Sequence, residues 1–295
     1  MTKKAYSIDE QISLLAKRGM EFDNISKAKE ILADIGYYHF GFFSFPFEKS
    51  YPSKTNRTHE VVPGTTFRQV HDLYVFDSRL RFILTKAIAR IETNIRTRIT
   101  YMGSMHYIDD PWWFCNPSYI KTTYLAKFDK EVYAAVKKNP VIQEHHKKHN
   151  KDKYAPAWKT MEFMTLGNIV FLFEAIKDQS LKKDIAQSYG CSIKVFLNYL
   201  ETIRLIRNRC AHGGCLYSIN VDKGIYKCPA NVDNMDAHNL KGAVKVILYL
   251  LGTISIRHRD EILTEILTEL EKISQNPKTL SIVKLCSNFD THFSI

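Results

Sequence analysis

No stretch of this sequence is apolar for long enough to span a bilayer, which takes about 20 residues. The longest such run, VKVILYLLGTISI (244–256), has the length of a buried helix. The opening MTKKAYSIDEQ lacks the apolar segment of a secretory leader. Its six cysteines, Cys115, Cys191, Cys210, Cys215, Cys228 and Cys286, form no framework of spacings, which fits reduced thiols in a cytoplasmic chain. Strand-like alternation is scarce, and there is no βαβ pattern, GxGxxG turn, Walker lysine loop, repeat or low-complexity tract. These absences set aside membrane insertion, secretion, disulfide scaffolds and the common nucleotide-binding folds.

What is present is globular and basic. Hydrophobic residues make up 45% of the chain and charged ones 25%, enough apolar material for a core. Lys and Arg number 42 against 31 acidic residues, a net charge of +11. Such an excess points to a polyanionic partner: RNA, DNA or an anionic membrane surface.

The periodicity is helical throughout. Ser7 and Glu10 form a capping-box pattern before QISLLAKRGM, and SKAKEILADI stops at Gly36. An aromatic block follows, GYYHFGFFSFPFEKSYP, whose rings, like Trp112, Trp113 and Trp158, are expected mainly in the core. Residues 49–66 read as a loop. From 65 to 102, Phe67, Val70, Leu73, Leu80, Ile83, Ala87, Ile91 and Ile95 recur at three- and four-residue steps with neither Pro nor Gly, predicting one long helix or two nearly continuous ones. Its other faces carry Arg79, Arg81, Lys86, Arg90, Arg96 and Arg98. Helical patterns return at 121–138, at VIQEHHKKHNKDKY, after Pro156, at 192–212 between Ser192 and Gly213, and around 236–252 and 255–274. His145, His146 and His149 have a spacing that could hold a metal, but only Glu144 is near enough to complete a set, and an exposed basic face is the favoured reading. The predicted fold is all-α: a single domain over 1–295, with an N-terminal helical extension (1–64) and a helical core of long amphipathic helices (65–275).

The segment RNRCAHGG (207–214) carries the chemistry. Arg207 and His212 stand five positions apart, about 140° around a straight helix, so they share a site only if the helix ends there or the arginine curls round. Gly213 permits that ending. A histidine in a last helical turn lies at the negative end of the dipole, which favours imidazolium. An imidazole and a guanidinium are what metal-free phosphodiester cleavage by a ribose 2′-hydroxyl requires: one moves protons, the other stabilises the phosphorane. Asn208 could orient the imidazole or bind a phosphate oxygen. One histidine cannot easily act as acid and base in one step, so two copies of the helix facing each other across a twofold axis are expected. The same residues are also compatible with an ordinary helix end, and Cys210, Cys215 and Cys228 near His212 include no CxxC pair for zinc.

LIRNRCAHGGCLYS (205–218) resembles the signature of the bacterial Abi-like proteins, the AbiD/AbiF group of phage abortive-infection proteins within the HEPN superfamily. DEQISLLAKRGM, LADIGYYHFGFFSFPF, YVFDSRLRFILTKAIARIETNIRTRI and PAWKTMEFMTLGNIVFLF resemble the family's other blocks in the same order. The resemblance implies a HEPN-like helical bundle, a homodimer with a composite site, metal-independent RNA cleavage without a cofactor, and a toxin that halts growth on infection. It also implies a structured non-coding RNA as a partner, which the positive charge would suit. Arg207, Asn208 and His212 fall on the motif as the catalytic set, and Glu92, with Arg96 one turn on, falls where a polar residue supports the site. Arg96, Arg98, Arg204 and Arg209 are the RNA-contacting candidates. Gly213–Gly214 departs from the bulkier or polar residue that often follows the motif histidine. Two non-catalytic alternatives use the same helices: an RNA-binding regulator and a regulator of another protein.

Overall fold

The unbroken periodicity after residue 65 becomes one helix. In the computed structural model, which describes residues 4–295, Phe67–His106 is continuous over 40 residues, about 60 Å. Thr66 starts it with a capping box closed by Gln69. Its buried stripe runs from Phe67 and Val70 to Ile95, Ile99 and Gly103, and holds one carboxylate, Asp77. At Gly103 a side chain is excluded, because a Cβ there would lie 2.3 Å from the Trp113 ring.

In chain order the helices are α1 (Ile8–Lys17), α2 (Ile25–Ile35), α3 (Tyr37–Ser44) and the long α4 (Phe67–His106). Next, α5 (Thr122–Lys127) runs through a π-helical turn (Phe128–Tyr133) into α6 (Ala134–Val136), followed by α7 (Pro140–Lys148) and α8 (Ala157–Thr160). The rest are α9 (Leu166–Ala175), α10 (Gln179–Gln187), α11 (Ile193–Ala211), α12 (Leu240–Ile254), α13 (Ile256–Ser274) and α14 (Pro277–Ser287). Among the described residues there is no strand longer than an isolated bridge; the fold is all-α.

α4 is the axis, with α3 and α8 to α14 packed against it. α12 is apolar nearly all round and buried between α4, α11 and α13. The N-terminal segment shares this core, since Phe40 stacks on Phe67 at 4.4 Å and Phe43 meets Tyr74 edge-on at 5.3 Å.

The structure corrects several expectations. The aromatic block contains a helix, α3, because Gly36, at φ +80°, ends α2 and lets the chain restart at once. The helix read from Pro156 breaks at Met164, whose extended backbone leads to Thr165 as a new N-cap. α10 and α14 were not anticipated. Trp113 is fully buried, but Trp112 and Trp158 are 36% and 56% exposed, since Trp112 directs its indole N–H to the Tyr154 carbonyl at the surface. His145 is buried rather than part of an exposed basic face; it stacks on His149 and faces Asp152 at 3.3 Å.

Candidate functional site at the end of α11

Ser192 caps α11 by accepting the Val195 N–H, and Phe196, Tyr199, Leu200, Ile203 and Ile206 bury its inner face. The helix stops where the glycines predict. His212 is the C-cap, Gly213 has φ +66°, and the Gly214 N–H reaches back to the Arg209 carbonyl at 2.9 Å. This is a Schellman closure, which requires the left-handed conformation that glycine adopts without strain.

The closure presents the motif to solvent. Asn208, Arg209 and His212 are exposed and Arg207 is half-buried. Among the described residues, no intramolecular side-chain hydrogen bond or ion pair engages any of these four, whereas Arg204 is paired with Glu201 on the previous turn.

Behind His212 the chain is fastened to α4. Asp77 is fully buried, and its Oδ1 accepts the backbone N–H groups of Leu216 and Tyr217 at 2.7 and 2.8 Å. Its Oδ2 lies 3.2 Å from the Arg81 Nε. Burial pushes this carboxyl up to about 6, against the pull of the two amides and the guanidinium. Tyr217 completes the anchor by donating its hydroxyl to the Phe42 carbonyl at 2.7 Å. Burial raises the Cys210 and Cys215 thiols to about 11 and about 12, so both are neutral and unreactive. A second histidine, His39 on α3, is held below its ordinary pKa by burial and then by the charge of Arg81.

The other predicted residues lie elsewhere on α4 and serve the fold. Glu92 pairs with Arg96 at 3.1 Å, and Arg96 also donates to the Met164 carbonyl. Arg98 donates to the Ser188 carbonyl and lies over the Tyr189 ring. No ion pair joins Glu92 to Arg207 or His212 among the described residues. Sequence reasoning missed the Asp77–Arg81 pair; its signal was a lone acid on an otherwise apolar stripe. Among the described residues no group of three or more His, Cys, Asp or Glu is placed to hold a metal ion. A polar cavity of about 530 Å³ between α4, α13 and α14 is lined by Arg79, Glu269 and Lys272, which pair with one another, and not by the motif.

The sequence profile of the Abi-like protein family matches residues 30–218, well over half of the chain and inclusive of α11 and its exit. The chain belongs to the Abi-like protein family. Membership associates this Abi-like protein with abortive infection in phage defence. No match is found among curated proteins or solved structures. No described helix is long and apolar enough to cross a membrane.

Proposed function

We propose that this Abi-like protein is a HEPN-type endoribonuclease acting in the cytoplasm as a growth-arresting toxin, and that its site forms between two copies of the chain. The observation that carries this reading is the end of α11: Asn208 and His212 are exposed and Arg207 half-buried on a capped helix terminus, and among the described residues none of the three side chains is committed to the fold. In the proposed reaction an imidazole takes the proton of the ribose 2′-hydroxyl, which attacks the adjacent phosphorus. The P–O5′ bond breaks, and a second imidazole protonates the departing 5′-oxygen. Arg207 forks onto the phosphate oxygens as charge builds, and Asn208 orients the imidazole or the phosphate. Two copies of α11 across a twofold supply both histidines. Arg204 and Arg209 flank the site and hold the strand, and the net charge of +11 suits a structured non-coding RNA as a further partner.

Purified protein should cleave RNA in EDTA and leave 2′,3′-cyclic phosphate ends. His212→Ala should abolish cleavage, and Arg207→Ala should slow it by about 10²- to 10³-fold, the usual loss for one transition-state donor. Cleavage by His212→Ala at the wild-type rate would overturn the reading. One observation favours a second reading, in which the protein grips RNA without cutting it: among the described residues no other titratable side chain of the same chain hydrogen-bonds to His212. That reading predicts intact RNA and protection of expressing cells.

A further inference from the structure

The geometry points to Arg81 as a second phosphate-binding guanidinium of this site, set in place by Asp77 and left uncovered by Gly213. The inference rests on reading the α11 end as the RNA site.

Arg81 is committed to the fold at one edge only. Its Nε forms an ion pair with the Asp77 carboxylate at 3.2 Å without hydrogen-bond alignment, and its side chain is 13% exposed. Among the described residues, neither of its terminal nitrogens donates a hydrogen bond within the chain. One of them, Nη1, lies 3.5 Å from where a Cβ on Gly213 would be. Gly213 directly follows His212, and the terminal nitrogens, unlike Nε, are not fully buried, so the free edge of the guanidinium meets solvent next to the residue after the motif histidine. A side chain at 213 would stand against that edge. The glycine therefore closes the helix and also leaves Arg81 open.

The pairing with Asp77 suits this task. A guanidinium has five N–H donors in a planar fork, so one edge can be fixed while the other receives a phosphate. The carboxylate that orients it also holds the Leu216 and Tyr217 amides. One buried group thus fixes both the chain leaving His212 and the arginine beneath it. Asp77 is a positioning residue in this arrangement; Arg81 touches the substrate.

The experiment uses a single-stranded oligodeoxynucleotide, which has no 2′-hydroxyl and cannot be cut by the proposed reaction. Its affinity is measured against salt for the full-length wild type, Arg81→Gln, the double variant Asp77→Asn/Arg81→Gln, and Arg257→Gln as a charge-loss control on the exposed start of α13. The double variant avoids an unpaired buried carboxylate should Arg81→Gln alone fail to fold. Loss of one phosphate contact lowers the slope of log affinity against log salt by about 0.7 for a single strand. Both Arg81 variants should show that loss, and Arg257→Gln should keep the wild-type slope. An unchanged slope in folded Arg81 variants overturns the inference, as does an equal loss in Arg257→Gln or no binding by the wild type. A wild type that binds the strand but leaves RNA intact counts against the ribonuclease reading alone.

Discussion

Replacing Asp77 separates two effects that the structure superimposes. In Asp77→Ala the Leu216 and Tyr217 amides lose their acceptor while still buried, and each unpaired buried donor costs about 1–3 kcal/mol. At pH 4, where the native carboxyl is protonated and no charge penalty is removed, the alanine variant should therefore lose about 4 kcal/mol of stability, with deuterium exchange rising first at those two amides. Asp77→Asn keeps an acceptor oxygen and removes the buried charge. The rise of the carboxyl from 3.8 to about 6 means that the ionised form costs the fold about 3 kcal/mol at neutral pH. The sign follows from linkage: the native state holds this proton more tightly than the unfolded chain. The Asp77 contribution is therefore fully present below pH 3.8 and declines as pH rises towards and through about 6. Urea titrations at pH 4, 5, 6 and 7 should show the wild type losing stability relative to Asp77→Asn. A wild type that gains on Asp77→Asn across this interval, or an Asp77→Ala variant within about 1 kcal/mol of the wild type at pH 4, would refute the reasoning.

Gly103→Ala would place a methyl 2.3 Å from the Trp113 ring, and the overpacking should cost about 1–3 kcal/mol, read as a lower melting temperature with altered tryptophan fluorescence. Gly213→Ala meets only an ordinary contact at 3.5 Å. Its cost of about 1–2 kcal/mol should come from the left-handed backbone, with amide exchange rising in the last turn of α11. Ser192→Ala removes the cap at the other end of that helix and should lower the urea midpoint by an amount equivalent to about 1 kcal/mol.

The helix that carries the motif was legible to the residue at its start, because Ser192 and Gly213 act locally: a cap hydroxyl and a left-handed glycine have the same effect in any fold. The length of α4 was legible for a related reason, a stripe unbroken by proline. Other features depended on packing. Asp77 becomes an anchor only when residues 216 and 217, about 140 positions later, fold back onto α4. In the sequence Arg81, Arg96 and Arg98 all lie on the faces of α4 outside its apolar stripe. The fold commits Arg96 and Arg98 to backbone carbonyls and leaves Arg81 beside the motif. The break in the helix at Met164 was hidden because MEFMTLGN keeps a helix-like apolar spacing while Thr165 serves as a cap.

The aromatic block near the N-terminus carries a consequence for synthesis. Phe43 leaves the ribosome early, whereas Tyr217, whose ring packs against it at 5.7 Å, follows 174 residues later. At about 5–20 residues per second, that ring waits about 10–35 s for this neighbour. Throughout that interval the nascent chain displays a sticky aromatic surface that a holdase could cover, and translation that stalls before the motif helix would release it unshielded.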